Sequence, residues 1–174
     1  MRKLLIFLIF IGGVHACSSI YFSEEKNPPK AQEISKDYTP KSIKNPSTRN
    51  QLVKEGEKLI GTKYRYGGTT PKGFDCSGFT GYVYDKVEMN ISRSSSAQAK
   101  LGKEVPIKKA LPGDLIFFTG TGRNKISHVA MVVSNDKEGL FVIHSTTSKG
   151  VRKDNISTST YWKPKMLFVR QIIE

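Results

Sequence analysis

At 174 residues the chain suits one domain with one core, and its two cysteines are too few for a disulfide framework. A formal net charge of +13 points to an anionic partner: nucleic acid, a membrane surface or an acidic polymer. The lysines are scattered and no basic run is interleaved with aromatics, which argues against nucleic acid.

Residues 1–16 read as an export signal. Arg2 and Lys3 give a charged start, and residues 4–11 are an unbroken apolar run too short to span a bilayer. The segment ends Val14-His15-Ala16-Cys17, which resembles the lipobox of bacterial lipoproteins, although His15 stands where that pattern has a small or hydroxyl residue. The resemblance implies a mature protein that begins at Cys17, acylated with chains such as palmitate. Ser18 then resembles sorting to an outer membrane, facing the periplasm. Simple cleavage after Ala16 would instead leave a free exported protein. Residues 17–48 are expected to be a tether: they hold Pro28, Pro29, Pro40 and Pro46 among Ser, Lys, Glu and Asn, with few apolar residues to bury.

The folded domain is expected over residues 49–174. Leu52, Gly56, Leu59 and Ile60 recur at helical spacing, with Gly61 as a stop. Phe79, Val83 and Val87 then follow Cys76 at steps of three, four and four. They predict a helix starting at or near the cysteine, with Asp75 as its N-cap. A thiol in the first turn meets the positive end of the helix dipole, which favours the thiolate. Alone, Cys76 would be read as a buried packing residue. As the one cysteine in the folded part of an exported chain, it is a candidate nucleophile.

Further along, Ser94 is a candidate cap for a short helical turn, and Leu111-Pro112-Gly113-Asp114 is a turn signal leading into an apolar strand. Strands are also expected over 128–134, 140–145 and 167–173. An early helical half and a late strand half give an α+β fold. His128 and His144 both fall on the strands after the cysteine helix, and two histidines in one hairpin point to Cys-His chemistry.

Six stretches occur in order: Tyr64-Arg65-Tyr66-Gly67-Gly68, Gly73-Phe74-Asp75-Cys76-Ser77-Gly78-Phe79, Arg93-Ser94-Ser95, Pro112-Gly113-Asp114-Leu115-Ile116-Phe117-Phe118, Ser127-His128-Val129-Ala130 and Val142-Ile143-His144-Ser145. Together they resemble the NlpC-type family of papain-like cell-wall cysteine endopeptidases. The resemblance implies a papain-like α+β fold, with helices on a central antiparallel sheet and the nucleophile at a helix N-terminus. It implies hydrolysis of peptide bonds in peptidoglycan stems, either at the D-alanine–diamino acid cross-link or at the D-isoglutamyl–diamino acid bond. Cys76 would be the nucleophile, His128 the base and His144 the group that orients His128. Tyr64 would stabilise the oxyanion with the Cys76 N–H. Asp75, Ser77 and Arg93 would line the substrate site. No cofactor or metal is expected, and the partners are peptidoglycan peptide and, through Cys17, a membrane; the chain is expected to be a monomer.

His144 follows His128 by sixteen residues, wider than is usual in the family. The extra length is read as a longer hairpin loop over Asn135-Asp136-Lys137-Glu138-Gly139. In that register Val132 faces Val142 and Ala130 faces His144, which puts both histidines on one face as diagonal neighbours. A one-residue slip would separate them. The competing class is a non-catalytic wall-binding lipoprotein on the same fold, which would have no need of Cys76, His128 and His144 together. A circularly permuted acyltransferase or thioesterase would carry its histidine before the cysteine, the reverse of the order here.

Overall fold

The computed structural model describes residues 46–120 and 125–173. The segments read as export signal and tether, up to residue 45 and including Cys17, lie outside them. The first helix, α1, spans Pro46–Glu57, so it starts three residues inside the stretch read as tether. Proline suits a first helical turn, where its missing N–H is not needed. The helix stops at Glu57, short of Gly61. Gly61, at φ 92°, instead donates its N–H to the Val151 carbonyl after a series of turns.

A two-residue hairpin, β1 (Thr69–Thr70) and β2 (Gly73–Phe74), leads into α2, Cys76–Asp85. The short α3, Ser95–Gln98, is capped by the Ser94 hydroxyl on the Ala97 N–H, as its sequence suggests. Strands β3 (Lys103–Val105), β4 (Leu115–Thr119), β5 (Ile126–Asp136), β6 (Gly139–Thr146), β7 (Gly150–Asn155) and β8 (Met166–Gln171) form one sheet. Its order is β3-β8-β4-β5-β6-β7, and every neighbouring pair is antiparallel. The expected α+β architecture is therefore present. Strand β7 was not legible in the sequence, because Gly-Val-Arg-Lys-Asp-Asn is poor strand composition.

Side chains alternate across the sheet, and each face has its own cluster. Leu115, Phe117, Val129, Met131 and Ile143 pack with Leu52 of α1 and with Phe79 and Val83 of α2. Ile116, Phe118, Ala130, Val132, Val142 and Val169 pack on the other face with Ile156, and Trp162 lies against them. Fully burying a residue such as Phe79 or Val83 stabilises by about 1.5–3 kcal/mol. This burial fixes the helix whose first residue is Cys76.

Arg49 ties α1 to the sheet. It donates to the Pro112 carbonyl at 2.7 Å, to Asp114 Oδ1 at 2.8 Å, and to the Ile173 carbonyl. Asp114 is fully buried, and its other oxygen accepts from the Leu111 N–H at 2.9 Å. These bonds close the Leu111–Asp114 turn, whose Gly113 takes φ 87°.

The β5–β6 hairpin corrects the expected long loop. The turn is only Lys137-Glu138: Asp136 pairs with Gly139, and Asp136 Oδ1 accepts from the Glu138 N–H at 2.8 Å. The strands continue through the segment read as loop. Asn135 pairs with Leu140 and Ser134 with Phe141, one residue out of the expected register. A bulge between Val132 and Ser134 absorbs the odd residue, so Val132 pairs with Val142 as expected.

Candidate active site

Helix α2 begins at Cys76 because Asp75 caps it. Asp75 has extended backbone, and its Oδ1 accepts from the Gly78 N–H at 2.7 Å. Its Oδ2 accepts from the Gly67 N–H at 3.0 Å, which fastens the preceding loop to the cap. That loop carries Tyr64 and lies hard against the helix start. A Cβ on Gly78 would stand 2.0 Å from the Gly68 carbonyl oxygen, and one on Gly68 would stand 2.3 Å from the Gly73 oxygen. Only glycines allow this approach. On the other side, the Ser145 hydroxyl of β6 donates to the Phe74 carbonyl at 2.8 Å, tying the sheet to the strand just before Cys76.

An open cleft of about 530 Å³ runs over the end of the sheet. Tyr64, Cys76 and His128 all line it, and Trp162, Arg152 and Asp154 complete the wall around the histidine. His144 is fully buried behind, its Nδ1 lying 3.0 Å from Nε2 of His128. His144 Nε2 is in turn 2.9 Å from Asp154 Oδ2 on β7. Arg152, which pairs with His144 across the β6–β7 ladder, holds the other Asp154 oxygen. The indole of Trp162 stacks on His128 at 4.6 Å between centroids and 25° between planes, and it also touches the His144 ring at 5.0 Å.

Electrostatics leave the Cys76–His128 pair uncharged at rest. Burial, helped by the neighbouring His144, pushes the His128 pKa down to about 3, so its ring carries no charge at neutral pH. Burial likewise pushes the Cys76 thiol up, against a smaller downward pull from the Val129 N–H and Ser77. The expected thiolate is thereby corrected: desolvation outweighs the helix terminus. Burial raises the Tyr64 phenol too, and Cys76 and Asp75 beside it push the same way. For Asp154, burial is outweighed by His144 and Arg152, which hold its carboxyl below the usual range.

Of the residues singled out in the sequence, Tyr64, Cys76 and His128 meet in one cleft with His144 behind them. Ser77 and Arg93 line a second, shallower recess with Thr69, Tyr82 and Asn90. Arg93 donates to both Asp75 oxygens, at 3.0 and 2.5 Å, and to the Ser77 hydroxyl at 2.9 Å. Sequence reasoning missed Asp154, Arg152 and Trp162. The first two lie on the strand that its composition concealed. Trp162 is the chain's single tryptophan, which was the one available signal.

Residues 61–171 match the model of the NlpC/P60 family. The chain belongs to the NlpC/P60 family. It is 39% identical over 114 residues to "Probable endopeptidase NlpC" of Escherichia coli (strain K12), covering 64% of this chain and 70% of that one. It is 37% identical over 124 residues to "Gamma-DL-glutamyl hydrolase" of Bacillus subtilis (strain 168), covering 70% of this chain but only 29% of that longer protein. "Murein DD-endopeptidase MepS/Murein LD-carboxypeptidase" of Escherichia coli (strain K12) is 28% identical over 144 residues, 81% of this chain and 72% of its own. Among solved structures, the NlpC/p60 domain of the peptidoglycan hydrolase SagA superposes with a TM-score of 0.60 at 30% identity. That match covers 71% of this chain and 97% of the SagA domain.

Proposed function

We propose that this NlpC/P60 protein is a cysteine endopeptidase that cleaves peptide bonds in peptidoglycan stems. The observation that carries the reading is the single cleft in which Cys76, Tyr64 and His128 converge, with His144 3.0 Å behind the base. In the reaction, Cys76 Sγ attacks the scissile carbonyl carbon while His128 removes the thiol proton. The resulting oxyanion is held by the Cys76 N–H and the Tyr64 hydroxyl. Collapse breaks the C–N bond, His128 protonates the leaving amine, and a thioester remains on Cys76. Water, deprotonated by His128, then attacks the thioester, releasing the new carboxylate and regenerating the thiol. Ser77 and Arg93 would contact a flanking residue of the peptide in the neighbouring recess, with Asp75 holding Arg93 in place.

Both candidate bonds involve the diamino acid: the D-alanine cross-link or the D-isoglutamyl bond. The relatives' names cover both chemistries, a DD-endopeptidase and a γ-glutamyl hydrolase. Digestion of purified sacculi and defined cross-linked dimers, read by mass spectrometry, tests the reading. Intact tetrapeptide monomers identify the cross-link and dipeptide-bearing products the other bond, whereas no product beyond a Cys76→Ala control overturns the reading and favours a wall-binding protein.

The lipobox-like Ala16-Cys17 supports a chain anchored by acylated Cys17 to a membrane of the cell envelope, and Ser18 favours the outer one. Labelling cells with a fatty-acid probe tests it: Cys17→Ala removes the label, and equal labelling of the two proteins rules the anchor out.

A further inference from the structure

We propose that Asp154 is a positioning residue that sets the tautomers of both histidines and so makes His128 the base toward Cys76. This rests on the cysteine-peptidase reading above. The chain of contacts runs from β7 across the sheet. Asp154 Oδ1 is taken by the Arg152 guanidinium, and Oδ2 lies 2.9 Å from His144 Nε2. An ionised carboxylate only accepts, so His144 Nε2 must carry the hydrogen. With a single hydrogen on its ring, His144 then presents a lone pair at Nδ1. His128 Nε2, 3.0 Å away, must donate to it. That leaves the lone pair of His128 on Nδ1, the nitrogen not engaged by His144 and the one free to face the thiol in the cleft.

Reversing the polarity of this chain would disarm the base. Suppose the Asp154 carboxylate becomes an amide. Arg152 has only donors, so it claims the amide oxygen and turns the NH₂ toward His144. His144 Nε2 must then accept, its hydrogen moves to Nδ1, and His128 Nε2 becomes an acceptor in turn. His128 ends with its hydrogen on Nδ1 and no lone pair for the cysteine proton. The wall that holds this chain is rigid: His144 is fully buried, and Trp162 packs on both imidazoles.

The test uses the full chain and two readouts. Histidine ¹⁵N NMR of the wild-type protein should show both His128 and His144 as Nε2–H tautomers; an Nδ1–H tautomer at either ring in the folded protein overturns the proposal. This measurement needs neither a variant nor a substrate, so it stands apart from whether sacculi are cleaved. In Asp154→Asn, both rings should switch to Nδ1–H, and kcat on cross-linked peptides should fall about 10²–10⁴-fold with KM nearly unchanged, the range expected when a general base is lost or mis-tautomerised. In a His144→Ala background the tautomer message is already cut, so Asp154→Asn should cost less than about threefold more. Equal losses in the two backgrounds, or unchanged tautomers in Asp154→Asn, would mean that Asp154 only supports the fold.

Discussion

The His128 and His144 imidazoles meet edge to face, with centroids 5.1 Å apart, planes at 67° and Nε2 of the first 3.0 Å from Nδ1 of the second. An orienting partner must accept a hydrogen bond at that point. His144→Ala should therefore lower kcat by about 10²-fold or more, the scale of a disabled general base. His144→Gln and His144→Asn carry a carbonyl oxygen and should retain part of the rate. Steady-state kinetics on cross-linked muropeptides check this; a His144→Ala rate equal to wild type would remove His144 from the mechanism.

The neutral Cys76–His128 pair predicts a particular pH dependence. The thiol pKa lies above its ordinary value, so the thiolate fraction stays small at neutral pH and grows through the alkaline range. Because His128 titrates only near pH 3, no imidazolium is available at neutral pH to stabilise an ion pair. The rate of Cys76 alkylation by iodoacetamide should keep rising above about pH 9, without a plateau between pH 5 and 8. A neutral plateau would reveal a thiolate–imidazolium pair instead.

Gly78→Ala should damage the site without touching a reacting atom. Its Cβ would stand 2.0 Å from the Gly68 carbonyl, so the Tyr64 loop must move off the start of α2. Overpacking of this kind costs about 1–3 kcal/mol. The expected result is a lower Tm together with a loss of kcat like that of Tyr64→Phe. Gly81 has open space around its Cβ position, so Gly81→Ala serves as the control that does not lower Tm.

Arg49→Ala should be among the more destabilising single changes, because it strips the charged partner from a fully buried carboxylate. Breaking such a pair costs about 3–5 kcal/mol. Burial already holds the Asp114 carboxyl above its ordinary range, with Arg49 and the Leu111 N–H pulling it down. A group raised on folding favours the folded state at low pH and loses that contribution as pH rises. The Arg49→Ala penalty should thus be greatest at neutral pH and shrink as pH falls through the raised Asp114 pKa, where the carboxyl becomes protonated. Denaturant unfolding at pH 7 and pH 4 checks the sign.

Local chemistry wrote much of the molecule into the chain. The cap at Asp75, the apolar steps at Phe79 and Val83, the cap at Ser94 and the turn at Gly113-Asp114 depend on neighbours within a few residues, so each could be read directly. So could the alternation that places His128 beside Ala130 and Val132. Three features were decided only by the tertiary structure. The Asp136–Gly139 turn and the bulge after Val132 each shift the register by one residue, and together they return His144 to the His128 face; a strand pattern of period two cannot report two slips that cancel. Asp154 and Arg152 meet His144 across a ladder between strands, and no spacing along the chain encodes that pairing. The charge state of Cys76 went against its helix position, because desolvation is set by everything packed around the thiol, while the helix terminus is set by its own few residues.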